Sequence, residues 1–562
     1  MSENIKIFAL GGLDEQGKNL TVVEIEEDIF ILDCGFKFPN KLTPGIDFLI
    51  PNPSYIKHNK QRVRAYILTH AHDEQIGALP YFYSIAPAPV YTTKSTQNVI
   101  EKGNLFEKMK LVYDFVVIEP TSEHIIAGRK FSFFQTCHNT LESFGVAIHT
   151  DQGNIVYPGE FIVSYDTKYS AFSFDIHALN TIAQEKTLLL MNESLGARYP
   201  GYVSPHHKFT PHVEKYFTDA PGRIFVSLFW QNFYSVFEII ELCIANNKKI
   251  IFYDKVTKKI FKMLMEEKLI NIPATSIIDS ADILRYRDQD EVFIMVDNSE
   301  YAFYKVKDIC YHRHEDKRIT LGENDTFLIC TPPSDNIEDL FTETVDDLFL
   351  TGAKVGYLKR KDVASMHARQ DDLKLMLSLL KPKYYLPVRG SYTQMLENAK
   401  LAVSMGIGLN HTNVFVLENG TVLNFNSEGK ARVYNDKEID ATEIIVDGFG
   451  VGDVKEEILQ ERNKIGENGV IVLACAISLK KRTILTKPDC QMRGFIFVKD
   501  SEPLLRQIIA IFVEEILNEL NRTKTEFDEE RLKEIVSERV LKIARHSVKR
   551  EPIIVPIIIQ ED

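Results

Sequence analysis

The sequence has few of the features that mark a secreted or membrane-embedded chain. Its 562 residues include seven cysteines and one tryptophan, and no two cysteines form a Cys-x-x-Cys pair. No segment approaches the ~18 consecutive apolar residues of a membrane-spanning helix, and the opening residues MSENIKIFALGG lack the regions of a signal peptide. We therefore expect neither a disulfide framework nor a cysteine zinc site, and we expect a cytoplasmic protein without a membrane span.

The chain also has fewer basic than acidic residues. Lys and Arg number 66 against 79 Asp and Glu, which gives a formal net charge of −13, whereas nucleic-acid binders commonly carry an excess of Lys and Arg. Net charge does not exclude such a partner, because binding depends on a local basic patch rather than on the sum. Apolar residues make up 44% of the chain, which excludes a disordered protein, and the length predicts roughly three or four domains.

Hydrophobic periodicity indicates an α/β protein. Residues 5–32 predict three short strands, and the segment 209–371 alternates apolar strands with helical patterns, as in a parallel sheet. A helix is predicted over Asp371–Leu380, then a strand over Tyr384–Val388 and a hairpin at Asn419-Gly420. The composition changes after Ile444, and a separate small domain is predicted there. Its elements are a strand over Val470–Cys475, helices over Leu504–Leu520 and Glu529–Val548, and a strand over Ile553–Ile559.

Side chains with metal-binding chemistry follow several predicted strands. The segment ILTHAHDEQIGALP runs an apolar strand directly into His70 and His72, and such a strand end can aim both imidazoles at one point. A lone histidine pair is as often satisfied or solvated as metal-bound. Here Asp33, His138 and Glu160 also follow predicted strands, which favours a metal centre.

Seven blocks of sequence occur along the chain in an order that is shared with a known protein family. They are ALGGLDEQGKN, ILDCGFKFP, ILTHAHDEQIGALP, FGVAIHTDQGNIVYPGEF, DDLKLMLSLLKPKYYLPVRGSY, VDGFGVGD and RGFIFVKDSE. Together they resemble the ribonuclease J family, among the β-CASP ribonucleases of the metallo-β-lactamase superfamily, and most closely its second paralogue type with a degenerate metal site. The resemblance implies an α/β fold. Its parts are a metallo-β-lactamase αββα sandwich from residues 1–208 and 372–448, an inserted β-CASP α/β domain at 209–371, and a linker with a small α/β C-terminal dimerisation domain at 449–562.

The resemblance also implies a cytoplasmic protein that cleaves RNA with two zinc ions, but the metal motif is altered. The family motif reads His-x-His-x-Asp-His, whereas this chain has Glu74 in place of the Asp and Gln75 in place of the third His. The bridging Asp becomes Glu160, and the late His of a Pro-Val-His-Gly block becomes Arg389. The ligands carried over for the first ion are His70, His72, His138 and Glu160. These residues are compatible with one zinc ion, and two are not expected.

The second ion has lost suitable ligands. A glutamine amide binds zinc poorly, and an arginine keeps its proton, so a fixed positive charge stands where a divalent cation should lie. We hypothesise that the Arg389 guanidinium occupies this position and pairs with Glu74 or Glu160, because two unpaired buried carboxylates would be costly. Glu74 and Glu160 remain the candidate catalytic residues of the degenerate site, and Asp33 is a structural residue.

A second family signature, His-x-Ser-x-His, holds RNA phosphate. The matching segment VASMH keeps Ser365 and His367 and has lost the first His. The candidate RNA or phosphate contacts are Ser365, His367, Arg369 and, in a loop of the inserted domain, Asn232. The alternative is that Ser365 caps a turn and His367 is solvated. In the Asn232 loop, Trp230 and Tyr234 fit a base-stacking role and a core role equally well.

Two functions are compatible with these features. The first is an RNA-binding subunit of RNA processing and decay with little or no activity. It would partner an active paralogue as a hetero-oligomer, or form a homodimer through its C-terminal domain. The alternative is a functional 5′→3′ exoribonuclease or endoribonuclease that uses bound zinc. A small-molecule metallo-hydrolase is disfavoured, because the blocks of the inserted and C-terminal domains are present.

Overall fold

The structure, a computed structural model, describes most of the chain. The described residues are 3–39, 43, 45–102, 110–166, 169–229, 232–253, 255–268, 270–279, 290–297, 299–314, 316–317, 319–333, 337–447, 450–452, 456–495, 502–522 and 527–561. The chain forms two compact units, one from residues 1–38 and 49–444 and the other from residues 39–48 and 445–562. All seven cysteines are free thiols. Among the described residues, no helix combines the length and apolarity needed to cross a membrane.

Strands and helices alternate through most of the sequence. The strands are β1 Ile5–Gly11, β2 Leu20–Ile25, β3 Asp28–Leu32, β4 Phe48–Pro51, β5 Val63–Ile67, β6 Val90–Thr92, β7 Phe115–Val117, β8 Glu123–Ile126, β9 Arg129–Gln135, β10 Phe144–Ile148, β11 Asn154–Tyr157, β12 Thr187–Glu193, β13 Ile224–Phe229, β14 Lys249–Phe252, β15 Glu291–Asp297, β16 Thr326–Ile329, β17 Lys354–Tyr357, β18 Tyr384–Val388, β19 Thr421–Phe425, β20 Ala431–Asn435, β21 Glu443–Asp447, β22 Gly450–Val451, β23 Val470–Ser478, β24 Thr483–Ile484, β25 Asp489–Arg493 and β26 Ile553–Gln560. The helices are α1 Ser54–His58, α2 Asp73–Ile76, α3 Leu79–Ile85, α4 Lys94–Lys102, α5 Ile176–Ala183, α6 Thr210–Thr218, α7 Phe233–Ala245, α8 Lys255–Glu266, α9 Ser299–Cys310, α10 Glu338–Leu350, α11 Gln370–Leu380, α12 Tyr392–Ser404, α13 Glu456–Asn468, α14 Glu502–Leu520 and α15 Glu529–Val548.

Two sheets form a sandwich in the larger unit. One has the strand order β20-β19-β1-β2-β3-β5-β6-β7 and the other the order β18-β12-β11-β10-β9-β8. Their facing sides share one apolar core, with Ile7 and Phe30 from the first sheet and Val146 and Ile155 from the second. Strands β2 and β11 are buried along their whole length, so their outer faces must be covered. Helices α5, α11 and α12 pack against the second sheet, and α4 packs against the first.

A third sheet lies between β12 and β18 in the chain. Its five strands run in the order β14-β15-β13-β16-β17 and are all parallel. The stacked rings of Phe225, Phe293 and Phe327 lie in its core, with Phe225 at centroid distances of 4.7 Å and 6.1 Å from the other two. The expected fold class, a helix-covered sandwich with an inserted α/β sheet and a small C-terminal α/β part, is confirmed. The domain limits at 208, 371 and 448 stay predictions.

The smaller unit has its own sheet and core. Strand β23 pairs in antiparallel fashion with β24 and β25 and in parallel fashion with β26. Helices α14 and α15 pack on each other and bury Ile508, Phe512 and Val536 in a core with Ile471 and Leu473 of β23. The unit therefore holds an apolar core independent of the sandwich.

The predicted hairpin at Asn419-Gly420 is wrong. These two residues form a turn that leads into β19, and the antiparallel pair β19–β20 turns instead at residues 426–430. The Asn419 side chain bonds to the backbone N and O of Leu13, both at 3.0 Å. The Asn-Gly turn therefore anchors a loop to the start of the sandwich rather than joining two strands.

Candidate metal centre

The four predicted ligands of the first ion lie in loops at one edge of the sandwich. His70 and His72 follow β5, His138 follows β9 and Glu160 follows β11. Strands β9 and β11 both run antiparallel to β10, which lies between them, so they end at the same edge of their sheet. The two sheets thus supply two ligands each. The side chains of His70, His138 and Glu160 are at most 1% exposed, whereas that of His72 is 11% exposed.

The ligand atoms converge on one oxygen of Glu160. Its Oε2 lies 3.3 Å from His70 Nε2, 3.6 Å from His72 Nδ1 and 3.0 Å from His138 Nε2. The His70 Nε2 and His72 Nδ1 atoms are 3.2 Å apart. A zinc ion at ~2.0–2.1 Å from four tetrahedral ligands places those ligands about 3.3 Å from one another. These four separations are close to that value, and all four atoms lie within 4.8 Å of one another, so the cluster has the dimensions to enclose one ion.

Hydrogen bonds at Nδ1 of His138 and of His70 determine which ring nitrogen of each residue carries the proton. His138 Nδ1 donates to the Met366 carbonyl at 2.8 Å, which leaves its Nε2 without a proton. The Thr69 hydroxyl donates to Asp33, so His70 Nδ1 donates to that hydroxyl at 3.0 Å and its Nε2 is also proton-free. Burial lowers the pKa of His138 to about 4 and the pKa of His70 well below its usual value, although the neighbouring carboxylate opposes both shifts.

Glu160 is ionised beside these nitrogens. Burial raises its pKa, but the charge of the adjacent Arg389 guanidinium opposes burial, and the pKa lies well below its usual range. Proton-free nitrogens and a carboxylate oxygen therefore face one another with no hydrogen bond between His138 Nε2 and Glu160 Oε2. Such an arrangement is costly unless a cation lies at its centre. Three imidazoles and a carboxylate are a donor set that zinc accepts, so the residues present fit one ion. Their assignment as ligands stays a prediction.

The other oxygen of Glu160 faces Arg389. Arg389 Nη1 lies 2.5 Å from Glu160 Oε1, and Arg389 Nη2 lies 2.6 Å from Asp33 Oδ2. The Gln75 amide donates to the same Glu160 oxygen at 3.2 Å. The hydroxyl of Tyr157 accepts from Arg389 at 2.8 Å and donates to Asp33 at 2.8 Å. The guanidinium is thus enclosed by two carboxylates and a phenol.

This second position does not fit a metal ion. Arg389 is 3% exposed, and although burial alone would lower its pKa, Tyr157, Glu160 and Asp33 raise it. A permanent cation and a donating amide group leave no ligand set for a divalent ion beside Glu160. Burial and the charge of Glu160 raise the pKa of Glu74, which keeps this side chain suited to proton transfer.

The segment that matches the family's phosphate signature lies next to the candidate metal ligands. The His367 ring is 5.4 Å from the His138 ring, and its Nδ1 lies 3.0 Å from Glu193 Oε2. Burial alone would lower its pKa, but the Glu193 carboxylate raises the pKa of His367 to about 9. Ser365 is exposed, and the guanidinium of Arg369 stacks on the Tyr199 ring at 5.4 Å. A cationic imidazole therefore stands beside the centre, and Arg369 follows it by two residues; the contact of either residue with RNA stays a prediction.

Comparison with known proteins identifies the family. Ribonuclease J 2 of Staphylococcus aureus (strain MRSA252) is 30% identical over 558 residues, which cover 99% of this chain and 98% of that protein. The chain belongs to the ribonuclease J family. Ribonuclease J 2 of Staphylococcus epidermidis is 30% identical over 561 residues, with 99% and 98% of the two chains covered. Both relatives carry the name of the second paralogue type, to which this ribonuclease J-like protein belongs.

Two further likenesses concern the C-terminal domain and the fold. The family model described as the ribonuclease J C-terminal domain matches residues 457–561. A crystal structure of a protein of unknown function from Enterococcus faecalis V583 has a TM-score of 0.51 and 15% identity, and it covers 75% of this chain and 99% of that chain. The second likeness shows the fold alone.

The loop that resembles an RNA-contacting segment of ribonuclease J is used partly for structure. Asn232 caps helix α7, because its Oδ1 accepts from Ser235 N at 3.0 Å. The Tyr234 ring is buried against His207 and Phe172, at centroid distances of 5.0 Å and 5.2 Å, so the core role is the one it adopts. Trp230 lies outside the described residues. Whether Asn232 also contacts RNA stays a prediction.

Three residues of the site were missed from sequence. Tyr157 ends β11 and orients Arg389, Glu193 ends β12 and holds His367, and Tyr199 stacks under Arg369. Tyr157 and Glu193 end neighbouring parallel strands, so they lie at the sheet edge that carries the predicted ligands. That position is the signal that would have identified both.

Proposed function

We propose that this protein is an RNA-binding subunit of RNA processing and decay with little or no hydrolytic activity. It binds single-stranded or 5′-monophosphorylated RNA beside a centre that holds one zinc ion through His70, His72, His138 and Glu160. It acts together with an active ribonuclease J paralogue as a hetero-oligomer, or as a homodimer, in the cytoplasm. The seven free thiols suit that reducing compartment.

The ion pair between Arg389 and Glu160 carries this proposal. A two-ion centre activates water near neutral pH and clamps both the attacking and the leaving oxygen of a phosphodiester. In this chain a guanidinium stands beside the carboxylate that would bridge two ions. A guanidinium supplies charge, but it neither lowers the pKa of a bound water nor accepts an oxygen ligand. Loss of the second ion therefore removes most of the transition-state stabilisation.

The alternative is a one-ion 5′→3′ exoribonuclease or endoribonuclease. It is favoured by the cluster of four candidate ligands of the first ion and by Glu74, whose raised pKa suits a general base. In this alternative the zinc ion supplies Lewis-acid chemistry, Glu74 moves the proton, and His367 with Ser365 orients the RNA phosphate. Glu160 is less suited to proton transfer, because both of its oxygens face cationic or metal-binding groups.

Metal analysis combined with RNA hydrolysis separates the two functions. We expect the purified chain to carry about one zinc ion and to leave 5′-monophosphorylated RNA uncut in an assay in which an active paralogue cuts it. His72→Ala serves as the control, because activity from a contaminating nuclease would survive that change. Turnover by the parent chain that disappears in His72→Ala would instead establish the one-ion ribonuclease. Co-purification with an active paralogue tests the partner separately.

Arg369 gives a prediction about RNA binding. A guanidinium that neutralises one phosphate releases about one counterion, so Arg369→Ala should weaken single-stranded RNA binding and lower the slope of log Kd against log salt by about 1. Binding would be measured by fluorescence anisotropy between low and moderate salt. Lys400→Ala is the matched control, since Lys400 is 59% exposed and pairs with Glu397 on an outer helix. Equal slopes for all three proteins would exclude Arg369 from the RNA contact.

A row of apolar side chains supports self- or hetero-association of the smaller unit. Strand β26 pairs with β23 along its length. Its outward side chains Val555, Ile557 and Ile559 are 38%, 42% and 54% exposed. Exposed alternate apolar residues on a strand are typical of a surface that another chain covers.

A further inference from the structure

The two oxygens of Glu160 have separate partners. Oε2 faces the three imidazole nitrogens, whereas Oε1 faces the Arg389 guanidinium at 2.5 Å and the Gln75 amide at 3.2 Å. The carboxylate is thereby held in one orientation and offers a single oxygen to an ion. The matching carboxylate of the family bridges two ions; in this chain Glu160 lies between the candidate ion position and a permanent organic cation, Arg389.

Four protein side chains face the candidate ion position, and none of them is more than 11% exposed. Zinc centres with four protein ligands at tetrahedral spacing are structural, whereas catalytic centres keep a position for water or substrate. The four atoms here have separations of 3.0–3.6 Å about Glu160 Oε2, and the most exposed ligand side chain is 11% exposed. All three imidazole nitrogens thus lie near ligand spacing from the carboxylate oxygen, and the four atoms lie within 4.8 Å of one another.

The ligands also come from both layers of the sandwich. His70 and His72 follow a strand of the eight-stranded sheet, and His138 and Glu160 follow strands of the six-stranded sheet. An ion held by all four would therefore connect the edges of the two sheets. Because such a site does not exist in the unfolded chain, the free energy of ion binding would add to the stability of the fold.

We propose that the centre is a closed, structural zinc site in which Arg389 replaces the second ion as a fixed cation and holds Glu160 on the first. The ion cross-links the two sheets and has no position for water or an RNA phosphate. This inference rests on the one-ion occupancy of the proposed function. It goes beyond that function, because it assigns the ion to stability rather than to RNA binding or turnover.

Cobalt substitution of the full chain tests the closed site without measuring activity. Co²⁺ reports its coordination through visible absorption bands, and azide or thiocyanate alters those bands only where an open coordination position exists. We expect about one Co²⁺ per chain, the intense bands of a four-coordinate ion, and no spectral change with azide, thiocyanate or a 5′-monophosphorylated oligonucleotide. Removal of the ion should lower the thermal midpoint of the sandwich.

His72→Ala is the positive control, because loss of one ligand creates an open position that azide should fill. A parent spectrum that changes with azide would overturn the closed site while leaving the one-ion occupancy intact. A chain that takes up no cobalt and no zinc would contradict both the inference and the proposed occupancy. RNA binding, measured on the same samples, is independent of either result.

Discussion

Arg389→Ala should destabilise the metal-free larger unit by about 3–5 kcal/mol. Removing one partner of a buried ion pair leaves the other charge buried and uncompensated, and costs of this size are typical. Here two carboxylates lose their partner, because Arg389 contacts Asp33 at 2.6 Å and Glu160 at 2.5 Å, with all three side chains at most 3% exposed. Chemical denaturation of parent and variant in the presence of a chelator measures the change.

Arg64→Ala is the matched control for that experiment. Arg64 also lies 2.6 Å from a carboxylate, that of Asp28, but its side chain is 40% exposed. Exposed pairs of this kind contribute about 0–1 kcal/mol. Combining Arg389→Ala with Glu160→Gln should recover part of the lost stability, because one of the two buried carboxylates left without a cationic partner is neutralised. Equal stabilities of the Arg389→Ala and Arg64→Ala proteins would contradict a structural role for the buried guanidinium.

The positions of the candidate metal ligands were predictable from sequence, because they depend on local rules. His70 and His72 stand directly after an apolar strand, and His138 and Glu160 also follow strands, so each residue could be placed at a sheet edge without knowledge of the fold. Both ends of the helix Glu529–Val548 were predicted correctly. The apolar face and the end residues that define a helix all lie within one short stretch of sequence. Resemblance to a family then joined the separate strand ends into one site.

The contacts that decide the chemistry were less predictable, because their partners lie far apart in the chain. The hypothesis for Arg389 named Glu74 or Glu160 as its partner; the structure pairs it with Glu160 and adds Asp33 and Tyr157. Asp33 lies 356 positions from Arg389 and Tyr157 lies 232 positions away. Rules based on periodicity or turns cannot predict contacts between residues so far apart in the chain. The fold brings Arg389, Asp33 and Tyr157 together at one edge of the sandwich.

A resemblance to a motif also does not reveal which role a residue performs. Asn232 matches a family position associated with RNA, yet asparagine is among the residues preferred as helix caps, and its side-chain oxygen serves that purpose for α7. The Asn419-Gly420 turn was assigned to a hairpin from turn chemistry alone. The same chemistry suits a loop anchor, and the side-chain bonds to Leu13 select that use.

Restoring three of the four altered positions of the family motif should allow a second ion to bind. The combined variant carries Glu74→Asp, Gln75→His and Arg389→His. An imidazole then replaces the permanent cation at position 389, and another imidazole replaces the donating amide at position 75. Glu160 Oε1 and Asp33 would then lose their cationic partner, and a divalent ion is the natural replacement, because buried carboxylates require a compensating charge. We expect the metal content to rise from about one to about two ions per chain.

Hydrolysis of 5′-monophosphorylated RNA should appear together with that second ion. A metal that polarises phosphoryl oxygens contributes several kcal/mol to the transition state, and each 1.4 kcal/mol is worth about tenfold in rate, so we expect a gain of roughly 100-fold or more. Arg389→His alone should not bind the second ion, since Gln75 still offers an amide in place of an imidazole. Adding His72→Ala to the restored variant should abolish the gained activity and so exclude a contaminant. Two bound ions without any gain in turnover would mean that the loss of activity lies in the RNA contacts, at the missing first histidine of the phosphate signature, rather than in the metal centre.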